Sequence, residues 1–122
     1  VVLVGVGKLG AAILSYPGFN PDGFHLIAAI DNNPDLIGRE VNGLIVHSIN
    51  DLPDLVAKHN ISIAIVAVPI SQTQRVIDRI IDCGIESILN YAPTAPQVPA
   101  RVKITSIDPV ISLQSMTYYL VN

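Results

Sequence analysis

The sequence predicts an α/β fold of the doubly wound Rossmann type, built on a mostly parallel sheet. Three features carry that prediction: short β-branched apolar runs, segments of helical period between them, and a Gly-x-Gly-x-x-Gly turn at the first junction. The runs are continuous rather than alternating, which is how strands covered on both faces read, and such strands belong to parallel sheets. Parallel neighbours cannot be joined by tight turns, so each connection crosses over and places helices on both faces.

In chain order, residues 1–4 (Val1-Val2-Leu3-Val4) read as the first strand. After the glycine turn, Leu9, Ala12, Ile13 and Tyr16 fall at the i, i+3, i+4, i+7 spacing of a one-sided helix that Pro17-Gly18 stops. Residues 25–30 form the second strand, and the stretch from Asp31 to Gly43 is too poor in apolar period for a full helix. Residues 44–47 form a third strand, after which Asn50 can cap a helix carrying Leu52, Leu55 and Val56. A strand over 63–68 leads to Ser71 and Gln74, which fit a capping box. The helix they open buries Val76, Ile77, Ile80 and Ile81 and ends at Gly84. Strands over 86–89 and 102–105 flank a proline-rich connection with Pro93, Pro96 and Pro99, and the direction of the last strand stays open. Asp108-Pro109 is a helix start, an N-cap carboxylate followed by proline at the first helical position.

Composition narrows the class. Of 122 residues 50% are hydrophobic and only 14% charged, against about 25% charged in an ordinary domain. Disorder, a disulfide-stapled miniprotein and a coiled coil are excluded, and a formal charge of −3 argues against this segment gripping a phosphate backbone alone. Cys83 has no second cysteine to pair with, so a reducing, cytoplasmic setting is expected. No apolar run approaches the roughly 20 residues that span a bilayer, so no membrane role is expected. The chain opens without methionine and is expected to be part of something longer.

The chemistry begins at Gly5-Val6-Gly7-Lys8-Leu9-Gly10. The motif alone is weak, but this one leaves an apolar strand and enters an amphipathic helix, the context that gives it a mechanism. Gly5 permits the tight turn, Gly7 lets the backbone approach a pyrophosphate, and Gly10 lets helix and strand pack closely. The anion sits on free N–H groups at the helix start, where the dipole favours negative charge. An acidic residue about 20 positions on should bond the ribose hydroxyls, and Asp31 meets that spacing. Its carboxylate repels a 2′-phosphate, and Asn32 and Asn33 supply no cation, so NAD is favoured over NADP. Arg39 reads as a solvated loop arginine, with the adenosine end as its alternative. Ligands of such sheets bind beyond the carboxyl ends of the strands, where Pro69 and Asn90-Tyr91-Ala92-Pro93 also fall. Pro69 and Pro93 serve equally well as strand ends and as ligand wall.

Catalytic groups are missing. Tyr16, Tyr91 and Tyr118 are followed four residues later by Asn20, Ala95 and Asn122, so no Tyr-x-x-x-Lys pair exists, and there is no Gly-x-Ser-x-Gly elbow. His25, His47 and His59 are scattered along the chain and read as structural or solvated; Cys83, in the last turn of an apolar helix, reads as buried filler. A binding domain fits better than an enzyme.

The glycine motif, Tyr16-Pro17-Gly18-Phe19, Ile30-Asp31 with Gly38-Arg39, Val68-Pro69, Ile88-Leu89-Asn90-Tyr91-Ala92-Pro93 and Ile107-Asp108 before Leu113-Gln114 together resemble the NAD(H)-binding domain of the redox-sensing repressor family Rex. The resemblance runs in order over essentially the whole chain. It implies a sensor of the NADH to NAD⁺ ratio in bacterial cytoplasm, a homodimer that releases DNA when NADH binds. DNA contacts would come from an N-terminal winged-helix domain absent from these residues. By the same resemblance Gly5, Val6, Gly7, Lys8, Leu9 and Gly10 hold the pyrophosphate turn and Asp31 the adenosine ribose. Val68 and Pro69 would form the pocket wall, and Asn90, Ala92 and Pro93 the nicotinamide region. Tyr16 and Asp108 match a pair whose hydrogen bond distinguishes the oxidised-cofactor state. Pro109 departs from the family, standing where some relatives carry a phenylalanine against the nicotinamide.

Two units follow: residues 1–107 as the NAD(H)-binding domain and residues 108–122 as a C-terminal helix. Val110, Ile111, Leu113, Met116, Tyr118, Tyr119 and Leu120 fall on more than one face of that helix, so it must be covered all round. A homodimer contact is the expectation, packed or swapped onto a partner subunit. The alternative class is the cofactor half of a nicotinamide-dependent dehydrogenase, or a CoA-binding ligase domain of the same fold. The seven basic residues are spread along the chain and form no linear DNA-binding patch.

Overall fold

The computed structural model describes residues 1–7, 10–11, 26–41, 43–91 and 94–107. Seven strands form one sheet in the order β3-β4-β2-β1-β5-β6-β7, where β1 is Val2–Val4, β2 Ala28–Ile30, β3 Glu40–Val41, β4 Leu44–His47, β5 Ile63–Val66, β6 Ser87–Asn90 and β7 Lys103–Ser106. All pairings are parallel except β3 with β4. The last strand, whose direction the sequence left open, runs parallel to β6.

The helices are α1 (Leu52–His59) and α2 (Ile70–Asp82), with a 3₁₀ turn over Ile49–Asp51 ahead of α1. Both pack on one face of the sheet. Val2, Val4, Ala28, Ile30, Ala64, Val66 and Ile88 point to that face and meet Leu52 of α1 and Ile77, Ile80 and Ile81 of α2. The alternate residues Leu3 and Ile65 point to the other face, as do Ala29 and Val46. Gly10 begins a helix there: its N-terminal turn closes with Ala11 N–H donating to the Gly7 carbonyl at 2.8 Å. The rest of that predicted helix, His25 and the C-terminal helix over 108–122 lie outside the described residues.

The expected strands are present, with shifted ends: 25–30 shortens to Ala28–Ile30, 63–68 stops at Val66, and the last two move one residue on. Three expectations are corrected. Asn50 does not cap α1. Ser48 caps the 3₁₀ turn instead, its hydroxyl accepting from Asn50 N–H at 3.2 Å, because Pro53 needs a place in the first turn of α1 and so sets its start at Leu52. Ser71 and Gln74 form no capping box, because α2 starts earlier, directly after Pro69, and no side chain caps it. Gln74 turns outward: its amide donates to the Gln97 carbonyl at 2.9 Å and accepts from Gln97 N–H at 2.8 Å, docking the proline-rich connection onto α2. Val76 is only half-buried; Thr73 takes its expected core place, with its hydroxyl donating to the Pro69 carbonyl at 3.2 Å.

The stretch from Asp31 to Gly43 is neither helix nor plain loop. It turns over 33–37 and returns as β3, an antiparallel edge strand in register Glu40↔Ile45 and Val41↔Leu44. Asn42-Gly43, the dipeptide that joins the two strands, has the residue types of a hairpin turn, but only Val41 stands before it as an apolar neighbour.

Candidate functional site

Register decides where the chemistry collects. Val4 pairs with Ile30 on one side and Val66 on the other, so the central strands end level with one another. The ladder continues one residue further at that edge: Gly5 N–H donates to the Ile30 carbonyl at 2.7 Å and Ala67 N–H to the Val4 carbonyl at 2.8 Å. From β1 the chain goes to β2 on one side and later to β5 on the other. That reversal opens a crevice at the carboxyl ends.

The three glycines of the motif differ in what they do. Gly5 has φ +103°, and a Cβ there would overlap the Ala67 carbonyl and lie 3.0 Å from Val68 Cγ1. Only glycine fits both the left-handed backbone and the close approach. A Cβ on Gly10 would overlap the Gly5 carbonyl, with Leu3 Cδ2 at 3.7 Å, so helix and strand meet backbone to backbone. Gly7 has no neighbour within 4 Å of its Cβ position. Nothing within the described residues asks for glycine there, and the open space above it is where a ligand backbone would approach.

Asp31 braces this loop. One carboxylate oxygen accepts from Val6 N–H at 2.7 Å and the other from Asn33 N–H at 2.9 Å. Asn33 repeats the device, accepting from Asp35 N–H at 3.0 Å. The acidic residue expected to meet ribose hydroxyls thus also ties the glycine turn to the loop after β2. Each carboxylate oxygen keeps acceptor capacity, since two oxygens offer about four lone-pair sites.

Around these groups lies an open cleft of about 690 Å³, within the range of small-molecule sites. Gly5, Val6, Gly7 and Asp31 line one part, and Val68 and Pro69 another. The structure thereby brings together these predicted residues. Gly10 stands behind the turn as its packing partner. Asn90 does not line the cleft. It is fully buried, its amide donating to Ser106 Oγ at 3.3 Å and weakly to the Thr94 carbonyl at 3.5 Å, so it links the ends of β6 and β7. Lys8, Leu9, Tyr16, Ala92, Pro93, Asp108 and Pro109 lie outside the described residues. Arg39 is exposed and not among the residues lining the cleft.

Sequence reasoning missed the far wall. Gln72, Arg75, Val76 and Arg79 line the cleft from α2, and Asn50 lines it from the 3₁₀ turn. Arg79 donates to Asn50 Oδ1 at 2.9 Å and joins the two elements. The signal was present in the helical spacing of Gln72, Arg75 and Arg79 directly after a strand end.

The other titratable candidates stay apart from the cleft. His47 ends β4, 4.0 Å from Asp51 across an exposed pair, and His59 ends α1 in solvent. Cys83 follows α2 and packs against the core; burial pushes its thiol pKa up, Asp82 adds to this, and Arg79 opposes it. Among the described residues no group of His, Cys, Asp or Glu is arranged to hold a metal ion, and no helix is long and apolar enough to cross a membrane.

Residues 1–94 match the family model for CoA-binding domains. The redox-sensing transcriptional repressor Rex of Chloroflexus aggregans is 47% identical over 98% of this chain, which spans 57% of that relative's length. A crystal structure of RSP, a Rex-family repressor, in complex with β-NADH superposes with a TM-score of 0.86 at 32% identity, over 98% of this chain and 58% of the other. RSP in complex with β-NAD⁺ and operator DNA gives 0.85 at the same identity, over 98% of this chain and 55% of the other. The chain therefore belongs to the CoA-binding domain family, and its relatives there include the redox-sensing Rex repressors.

Proposed function

We propose that this chain is the NAD(H)-sensing domain of a bacterial redox-responsive transcriptional repressor, acting in the cytoplasm and not as an enzyme. The observation that carries the reading is the braced glycine turn: Gly5 and Gly10 packed against backbone, Gly7 open to the cleft, and Asp31 clamped to Val6 N–H. These residues suit a dinucleotide. Gly5, Val6, Gly7, Lys8, Leu9 and Gly10 would hold the pyrophosphate, Asp31 the adenosine ribose, and Val68 with Pro69 the wall. A bound nicotinamide ring supplies the redox signal, being cationic when oxidised and neutral when reduced. RSP, similar over nearly the whole of this chain, binds β-NADH in one structure and β-NAD⁺ with operator DNA in another.

The proposal extends to the remaining residues by resemblance. Ala92 and Pro93 would stand at the nicotinamide, with Asn90 behind them, and Tyr16 with Asp108 would register the oxidised state. Residues 1–107 would form the sensing domain and residues 108–122 a helix packed on or swapped with a partner subunit. DNA would be contacted through an N-terminal winged-helix domain outside these residues. Titration of the chain with NADH, NAD⁺ and CoA tests the core of the proposal. Saturable binding of NADH or NAD⁺ supports it; binding of neither, or tight binding of CoA alone, would overturn it in favour of a CoA-binding ligase domain.

A further inference from the structure

The end of β6 carries a polar network that lies outside the cleft. Asn90 is fully buried, two residues after Ile88 in the alternation that sends Ile88 into the core. An amide in such a place costs stability unless its bonds are made. Its Nδ2 donates to Ser106 Oγ at 3.3 Å and to the Thr94 carbonyl at 3.5 Å, and Ser106 Oγ donates to that same carbonyl at 3.4 Å. Groups from β6, from β7 and from the connection between them thus close a ring of bonds. Register brings them together: Asn90 is the cross-strand partner of Ser106, and Ile107 N–H donates to the Asn90 carbonyl at 2.7 Å.

The ring anchors one end of a very short span. Tyr91 N–H donates to the Val66 carbonyl at 2.9 Å, which fixes the chain as it leaves β6. Thr94 is the next point held, so only positions 92 and 93 lie between two anchors. Three Cα steps of 3.8 Å leave such a span little slack, and releasing either end frees it. The two bonds to the Thr94 carbonyl are long, so each is weak and the ring holds the span only while all its members stay in place. We propose that Ser106, acting through Asn90 and the Thr94 carbonyl, is a positioning residue that sets where positions 92 and 93 stand for the nicotinamide end of the ligand. Ser106 itself touches no ligand in this scheme. The inference rests on the NAD(H) reading of the cleft and on the place that reading gives Ala92 and Pro93.

The test compares the chain with its Ser106→Ala, Ser106→Thr and Gln74→Ala variants. Ser106 is exposed, so truncating it opens no cavity in the core, and thermal melts confirm that each variant folds. NADH and ADP are titrated, and hydrogen exchange at the amides of Thr94 and Ala95 is followed without ligand. Ser106→Ala is expected to speed that exchange and to weaken NADH about three- to tenfold, the effect of one neutral hydrogen bond, as the span leaves its binding position part of the time. ADP, which lacks the nicotinamide end, should bind as to the parent. Ser106→Thr keeps the hydroxyl and should restore both readouts. Gln74→Ala releases the same connection further on, at Gln97, and should leave NADH affinity unchanged. Unchanged NADH affinity or unchanged exchange in Ser106→Ala, equal weakening of ADP, failure of threonine to rescue, or the same loss in Gln74→Ala would each overturn the inference. A parent chain that binds no NADH, while Ser106→Ala still speeds exchange at Thr94 and Ala95, would instead overturn the proposed function and leave the tie between Ser106 and Thr94 standing.

Discussion

Replacing Asp31 by asparagine separates bracing from binding. In the parent, one carboxylate oxygen accepts from Val6 N–H at 2.7 Å and the other from Asn33 N–H at 2.9 Å; Val6 is 7% exposed and Asn33 is exposed. Asparagine offers one oxygen and one NH₂, so it serves only one of the two donors. The oxygen will take Val6, whose N–H water reaches poorly, and the exposed Asn33 N–H turns to solvent at little cost. The bond that remains is neutral. Hydrogen bonds to charged groups contribute about 1.5–3 kcal/mol and neutral ones about 0.5–1.5, so the loss is about 1 to 1.5 kcal/mol. For a chain of this length that lowers the melting temperature by roughly 4–6 °C. Asp31→Ala removes both acceptors and strands the Val6 N–H, which costs about 1–3 kcal/mol in unsatisfied desolvation alone, so it should melt lower still. Melts followed by circular dichroism without ligand measure this order. NADH affinity should fall more than about tenfold in both, a loss of over 1.4 kcal/mol as charge-assisted bonds to the ribose disappear. An asparagine variant that melts within a degree of the parent would refute the bracing role of the carboxylate.

The glycines predict opposite phenotypes. Gly10→Ala drives a methyl into the Gly5 carbonyl and should destabilise by about 1–3 kcal/mol in denaturant titration. Gly7→Ala meets nothing within 4 Å, so it should unfold like the parent while losing NADH affinity. Gln74→Ala should speed hydrogen exchange at the Gln97 amide, whose acceptor is Gln74 Oε1 at 2.8 Å, and cost about 1 kcal/mol. Burial raises the Cys83 pKa, so its thiolate fraction at neutral pH lies below that of a free thiol. Alkylation should be slower than for a model thiol and accelerate only as pH rises past the ordinary thiol range, and Cys83→Ala should leave NADH binding intact.

Much of the fold was legible because two-sided burial leaves continuous β-branched runs such as Ile63–Val66, and because one-sided helices keep period, as Ile77, Ile80 and Ile81 do. Errors fell at boundaries. Ser71 and Gln74 have the residue types of a capping box, but Pro69 with its φ of −56° already turns the chain into α2, and Gln74 is drawn to a backbone segment far along the sequence. Asn50 lost its capping role to Ser48 for a similar reason, the demand of Pro53 for a first-turn position. The edge strand β3 escaped notice because Glu40–Val41 is too short to show a period.

By itself the sequence determined the parallel α/β class, the glycine turn and the acid at the end of the second strand, since these depend on local period, backbone freedom and spacing along one chain. Only the tertiary structure decided that Asp31 is tied to Val6 N–H, that Gly10 rests on the Gly5 carbonyl, and that Arg75 and Arg79 form the far wall. Those contacts join residues from separate elements, and their distances follow from strand register and helix placement, which the hydrophobic core sets and no local pattern encodes.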